Sequence, residues 1–309
     1  MASPLRGILL KVLSVALFMA MTACIKATTE HVPPGEAVFF RSLFAIPPIL
    51  CWLALRGELA SGFRVANPMA HLWRGLIGAS AMAFMFAAFG LLPLTEVVAI
   101  TYAAPLFVTI LAAMFLGEAI RLYRLAAVAL GMAGVAIILS PRLSLDALAG
   151  ATEGESLGAM LALFAAVMMA LAQVFVRKLV RTETTSAIVF WFSLTTTGLS
   201  LLTLPWGWVL PSGWEAVLLV SAGLIGGVAQ ILITSAYRHA EVGVIAPFEY
   251  VSMIFALVIG YVLFDEVPTG VVLAGAALVA TGGILIIWRE RKLGLERAKA
   301  RRAKGTAFG

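Results

Sequence analysis

Charge is what this chain lacks most. Only 12% of its 309 residues are Asp, Glu, Lys or Arg, while 62% are hydrophobic and the mean hydropathy is +1.03. A soluble domain is about half apolar and about a quarter charged. No water-soluble core holds such a surplus of apolar side chain, so the composition argues for an all-α integral membrane protein. Aspartate is scarcer still: Asp146 and Asp265 both fall between apolar runs. That leaves an aspartyl intramembrane protease without its two buried acids. His31, His71 and His239 sit at the ends of runs, which leaves no buried base for a serine nucleophile. An intramembrane enzyme is thus the weaker alternative. Cys24 and Cys51 each lie inside an apolar run, where cysteine behaves as a small hydrophobe, and they support neither a disulfide nor a metal site. A Walker phosphate loop and a filter-like loop are also missing, which argues against a pump and a channel. No cofactor or metal is expected.

What the chain does have is apolar length. A membrane-spanning helix takes about 20 apolar residues. Ten such runs occur, at roughly 5–25, 36–56, 71–91, 94–116, 121–140, 156–177, 184–204, 214–236, 241–263 and 268–288. They use most of the chain, so its work is expected inside the membrane. Arg6 and Lys11 before the first run, with "MTAC" at Met21–Cys24, resemble a cleavable leader. The run is long enough to span, and the repeat described below needs it, so it is read as the first span.

The charges that exist are sorted by side. The net charge is +6, and residues 289–304 alone carry +6, with eight basic side chains against Glu290 and Glu296. A basic tail after the last span reads as a cytoplasmic anchor on anionic lipid rather than as a nucleic-acid site. With the N-terminus inside, the inside segments hold Arg6, Lys11, Arg56, Arg64, Arg74, Arg121, Arg124, Arg177, Lys178, Arg181, Arg238 and the tail. The outside loops hold only Lys26 and Arg142. The positive-inside rule then predicts a multi-pass protein of a bacterial-type inner membrane, N-in and C-in.

The tetrapeptide "GLIG" occurs at Gly75–Gly78 and again at Gly223–Gly226. With the chain slid so that Gly75 meets Gly223, Tyr102 meets Tyr250, Glu118 meets Glu266 and Gly134 meets Gly282. One gapless register covers three spans of each half. Each half therefore holds five spans, 5–140 and 156–288, followed by the tail 289–309. Five is odd, so the second half enters the membrane from the opposite face. Two inverted-topology five-helix repeats are the signature of a secondary transporter whose site lies near the midplane between them.

Four stretches carry a family resemblance: "EAVFFRSLFAIP" (36–47), "HLWRGLIGASAM" (71–82), "LPLTEVVAITYAAPLFVTILAAMFLGE" (92–118) and "PFEYVSMIFALVIGYVLFDEVP" (247–268). They resemble the drug/metabolite transporter superfamily, in its ten-helix form with two EamA repeats. The resemblance implies a carrier of a small organic metabolite. A riboflavin-like vitamin or S-adenosylmethionine is the leading expectation, then amino acids, with export of toxic metabolites or drugs as the alternative. Protons are a candidate coupling ion. Both repeats lie in one chain, so a monomer suffices, with a weak dimer the other expectation. The first copy has Pro105 where the family prefers proline; the second has Met253 there and Pro247 six residues earlier.

Polar residues deep in a span are costly and are functional candidates by default. Tyr102 and Tyr250 approach the midplane from opposite faces, each about 12–13 Å deep at about 1.5 Å per residue. They are candidate stacking walls for a planar substrate. Glu249 is the acidic residue nearest a midplane, a candidate for a substrate cation, for protons or for a buried Arg. Arg41, about 7 Å below the outer surface, is a candidate for a substrate anion or for pairing with Glu249 or Glu96. Trp191, Gln173 and Gln230 are further substrate-binding candidates, with interhelical hydrogen bonding as the plainer reading. Arg74, Arg238 and His239, at span ends, read as interfacial anchors. Glu118 and Glu266 read as boundary or gating residues. Gly75, Gly78, Gly223 and Gly226 read as close-packing positions, and Pro105, Pro247 and the pair Pro47-Pro48 as kink sites.

Overall fold

The computed structural model describes residues 4–59, 62–116, 122–143, 153–180, 182–239, 248–249 and 251–305. Among them are twelve α-helices and no strand. In chain order these are α1 (Pro4–Lys26), α2 (Pro34–Leu43), α3 (Ile46–Leu55), α4 (Pro68–Leu91), α5 (Leu94–Thr101), α6 (Ala104–Leu116), α7 (Leu122–Leu143), α8 (Glu153–Leu179), α9 (Thr185–Leu201), α10 (Gly213–His239), α11 (Val251–Phe264) and α12 (Gly270–Gly305). Helices α1, α4, α8 and α10, and α2 with α3 taken together, are long and apolar enough to cross a membrane.

Two of the ten apolar runs are broken rather than merely kinked. The run 36–56 divides at Phe44–Ala45 into α2 and α3, and the run 94–116 divides at Tyr102–Ala103 into α5 and α6. Proline follows each break, Pro47 at the second residue of α3 and Pro105 at the second residue of α6. Proline has no N–H to donate and crowds the carbonyl four residues back, yet it fits the first turn of a new helix. Each break frees backbone polar groups at membrane depth, which is tolerated only inside protein. Pro247, Tyr250, Glu118 and Arg121 lie outside the described residues. The helix after the last loop also differs from expectation: α12 runs 36 residues, through the basic segment without a stop.

Helix pairing follows a two-fold rule. Helix α1, the first span of the first half, packs along α10, the third span of the second; α8, the first of the second half, packs along α4, the third of the first. The fifth spans, α7 and α12, pack on each other. Exchanging the halves leaves this pattern unchanged, the pairing expected of two five-helix repeats. Burial is inverted relative to a soluble protein. Lys11, Glu36, Arg41 and Arg74 are buried, whereas Leu5, Leu9 and Leu13 along one face of α1 and Ile254, Val258 and Tyr261 along α11 are exposed. The exposed stripes are the lipid face, and exposed Trp206, between α9 and α10, joins exposed Trp214, the second residue of α10, at one rim, as in an aromatic belt.

The α7–α12 seam is a close backbone contact between the repeats. A Cβ built on Gly134 would lie 2.7 Å from the Gly275 carbonyl oxygen, and one on Gly275 would lie 2.7 Å from the Gly134 carbonyl oxygen and 2.5 Å from Ile138. Gly275→Val should therefore destabilise by about 1–3 kcal/mol, as overpacking does. Gly198→Ala, with open space around it, should be neutral or stabilise by up to about 1 kcal/mol through helix propensity. Thermal unfolding of the two variants in detergent checks the contrast.

Candidate functional site

Two polar clusters lie inside the bundle. The first is built around the break between α5 and α6. Tyr102 caps α5 there, and its buried hydroxyl meets the Ser252 hydroxyl at 2.8 Å. Ser252 donates to the Glu249 carbonyl oxygen at 2.6 Å, which leaves the Ser252 oxygen to accept from Tyr102. The Glu249 carboxylate takes the Lys11 ammonium as its ion pair. Lys11 is 3% exposed, while the Glu249 side chain is 43% exposed. The chain Tyr102–Ser252–Glu249–Lys11 thus links both repeats through α1, the broken fourth span and the start of α11. Pairing of Arg41 with Glu249 is corrected here, because Lys11 takes that carboxylate. Lys11 reads from sequence as a topology charge. Its burial follows from α1 packing lengthwise on α10, where neighbouring Ser14 donates to the Ala229 carbonyl at 3.0 Å.

The second cluster lies among α2, α4 and α9. Arg41 on α2 and Arg74 on α4 are 2% and 7% exposed. Both guanidiniums face the Phe192 ring of α9, with Cζ 5.8 Å and 4.0 Å from its centroid. Arg74 as an interfacial anchor is corrected: its side chain runs inward along α4, with Nη1 against Gly78, rather than out to the rim. A Cβ on Gly78 would meet Arg74 Nη1 at 2.2 Å and Phe192 at 2.5 Å; one on Gly226 would meet Met21 Sδ at 2.7 Å and Arg41 Nε at 3.3 Å. The second glycine of each GLIG copy therefore makes room beside a buried arginine. The first glycine of each copy serves helix crossing alone, Gly75 against Thr195 and Gly223 against Phe44. One turn toward the rim, His71 Nε2 faces Glu183 at 3.6 Å, and Glu183 accepts from the Ala66 and Asn67 backbone N–H groups at 2.8 and 3.0 Å.

The remaining candidates lie apart or carry other bonds. The Trp191 indole donates to the Phe63 carbonyl at 2.9 Å, so its one donor holds α9 to the loop between α3 and α4. Gln173 and Gln230 are half-buried; the Gln230 carbonyl accepts from Thr234 at 2.8 Å. His239 Nδ1 meets the Ser235 carbonyl at 2.9 Å. Glu266 ties one end of the bundle together, pairing with Lys26 at 2.8 Å and accepting from the Leu94 N–H at 2.7 Å. Ser252, Phe192 and Lys11 were missed by depth counting; two are apolar or small, and the third sits near a terminus.

The comparisons agree with this architecture. The EamA-like transporter family model matches residues 5–140 and 156–288. The chain belongs to the EamA-like transporter family. Its relatives include a pseudopaline exporter, CntI, of Pseudomonas aeruginosa, 31% identical over 286 residues, covering 91% of this chain and 95% of that one. An S-adenosylmethionine uptake transporter of Rickettsia felis is 26% identical, with 83% of this chain and 84% of that one covered. A riboflavin transporter of Rhizobium johnstonii is 28% identical, with 84% and 83% covered. A solved crystal structure shares the fold at a TM-score of 0.67 and 22% identity over 92% of this chain. This EamA-like protein is a multi-pass transporter of small metabolites in the bacterial inner membrane.

The Lys11–Glu249 pair gives a stability test. Lys11→Met leaves a carboxylate without its cation and should cost about 1–3 kcal/mol, less than the 3–5 of a fully buried pair because Glu249 is partly exposed. Lys11→Met with Glu249→Gln should recover more than half of that loss in thermal unfolding, since the stranded charge is gone.

Proposed function

We propose that this transporter carries a small organic metabolite unchanged across the membrane by alternating access, the halves 5–140 and 156–288 rocking about the two-fold axis. The observation that carries this reading is the Tyr102–Ser252–Glu249–Lys11 chain, which bridges the halves at the proline break of the fourth span. Rocking has to break such a bridge, and the half-exposed Glu249 carboxylate is the member a substrate cation or a proton reaches first. Tyr102 and Glu249 are the central substrate-contacting residues. Arg41, Trp191, Gln173, Gln230 and Tyr250 are secondary. Gly75, Gly78, Gly223 and Gly226 are the packing positions about which the spans move, and Pro105 and Pro247 the hinges. The Lys26–Glu266–Leu94 tie acts as a latch on the end where α1 finishes. Both termini lie in the cytoplasm, with the basic end of α12 on anionic lipid. The relatives' range supports a riboflavin-like or S-adenosylmethionine-like substrate first, and either direction of transport.

Uptake into proteoliposomes tests this. The panel is riboflavin, S-adenosylmethionine, neutral and aromatic amino acids and a nucleoside, with and without a proton gradient. Saturable flux of one compound should fall by about tenfold or more in Tyr102→Ala, the size of one lost substrate contact. Glu249→Gln should abolish any pH dependence of flux while the protein stays folded. Unchanged pH dependence in that variant removes Glu249 from coupling, and flux unaffected by both substitutions moves the substrate path elsewhere.

A further inference from the structure

Arg41 and Arg74 present a charge problem. Neither has a hydrogen-bond or ion-pair partner among the described residues, and Arg41 Nε, Arg74 Nε and Arg74 Nη1 are all buried without one. Glu183, the acid near this end of α4, is already held by two backbone N–H groups and faces His71. The Phe192 ring face attracts both cations but carries no net charge to neutralise them. Two like charges taken out of water without an anion are strongly unfavourable, since desolvation is repaid only by a well-placed counter-charge.

The unsatisfied polar atoms also cluster. Of the ten buried side-chain polar atoms without a hydrogen bond among the described residues, nine belong to α2, α4 and α9: Arg41, Ser42, His71, Arg74, Thr185, Ser193 and Thr196 supply them. Buried polar groups are normally satisfied, so such a concentration marks a place completed by something else. The two guanidiniums lie at mid-membrane depth, beside Gly78 midway along α4 and Gly226 midway along α10, while His71 and Thr185 lie toward the rim. Arg41 reaches that depth from one end of the bundle and Arg74 from the other. A groove of about 200 Å³ lies between α2, α4 and the end of α9, lined by Gly35, Val38, Leu76, Ser80, Ala83 and Ser200, one to two turns from the arginines and not including them.

We propose that Arg41 and Arg74 form an anion clamp that binds an oxyanion group of the transported metabolite, carboxylate or phosphate, at the α2–α4–α9 interface. Arginine's planar fork suits both groups bidentately. Phe192 occupies the anion's place in the closed arrangement and yields it when α9 moves away from α2 and α4. This rests on the transporter reading and deepens it, giving the substrate at least one negative group at this end.

The test is thermal unfolding of the full chain in detergent, titrated with citrate and, separately, with inorganic phosphate, each against sodium chloride at equal ionic strength. A saturable rise in Tm with either oxyanion, absent with chloride, is expected; which one acts assigns carboxylate or phosphate. Arg41→Gln and Arg74→Gln should each weaken it by about tenfold or more, the loss of a charged hydrogen bond. Arg56→Gln, at an exposed position, should leave it unchanged. If a Gln variant fails to fold, Arg74→Lys replaces it and should retain charge but lose at least half the affinity gain. No oxyanion effect, or one that survives both substitutions, overturns the clamp. Flux in proteoliposomes separates the two readings: transport intact in Arg41→Gln and Arg74→Gln refutes the clamp and leaves the carrier, whereas oxyanion stabilisation without flux of any panel compound supports the clamp and overturns the proposed substrate classes.

Discussion

The constraint behind the features of this protein is the cost of leaving a charge or a backbone polar group without a partner inside a membrane-spanning bundle. An unpaired charge or open backbone group in hydrocarbon costs several kcal/mol, so each must be partnered within the protein or meet a ligand. The bundle answers in three ways. Lys11 and Glu249 answer each other across the two repeats. Glu183 and Glu266 are held by backbone N–H groups at loop and helix starts. Arg41 and Arg74 have only an aromatic face between them. The first two kinds stabilise one arrangement of the helices. The third leaves an electrostatic deficit that a bound anion would relieve.

The same constraint explains why the broken spans sit where they do. Breaking a transmembrane helix frees backbone groups, and here both breaks are buried. Ala45 and Ala103 are fully covered, and Tyr102 is nearly so. Each break also adjoins a buried polar cluster. The break at Phe44–Ala45 lies one turn beyond Arg41 and packs on Gly223 and Gly227, and the break at Tyr102–Ala103 carries the tyrosine that reaches Ser252. Proline therefore does more than bend the chain. It ends one helix where a side chain of the preceding turn must point into the bundle rather than along it.

Much of the architecture was legible in the sequence because it depends on period and count. Ten apolar runs, an odd number per half and one register through Gly75, Tyr102 and Gly134 were enough to derive inverted repeats. The structure realises them as the reciprocal pairing of α1 with α10 and α8 with α4. The proline pair Pro47-Pro48 and Pro105 pointed to the spans that break. The sites were less legible, because counting residues from a span end measures the depth of a Cα and not of a functional group. Arginine and lysine side chains reach far enough to reverse the reading. Arg74 and Lys11 both lie within two turns of a helix start and look like interface residues, yet both are buried. The Lys11–Glu249 pair joins residues 238 apart in sequence, and no periodicity connects them. Phe192 is one apolar residue among many until two cations are found on it.

GLIG shows how a repeat is used twice for different ends. Its first glycine does the same task in each half, letting a neighbouring span approach. Its second glycine borders Arg74 in one half and Arg41 in the other, and these arginines are not equivalent in the repeat: Arg74 is four residues before its own glycine, whereas Arg41 arrives from a different span. The position aligned with Arg74 in the second half is Ala222. Duplication therefore supplied two equivalent gaps, while the cations that fill them came from unrelated places. A strictly symmetric carrier would present the same chemistry to both faces. This one places both cations on the α2–α4–α9 side and the Lys11–Glu249 pair beside the α5–α6 break. The two clusters consequently differ in charge, and an anionic group carried through the bundle would meet different electrostatics at each.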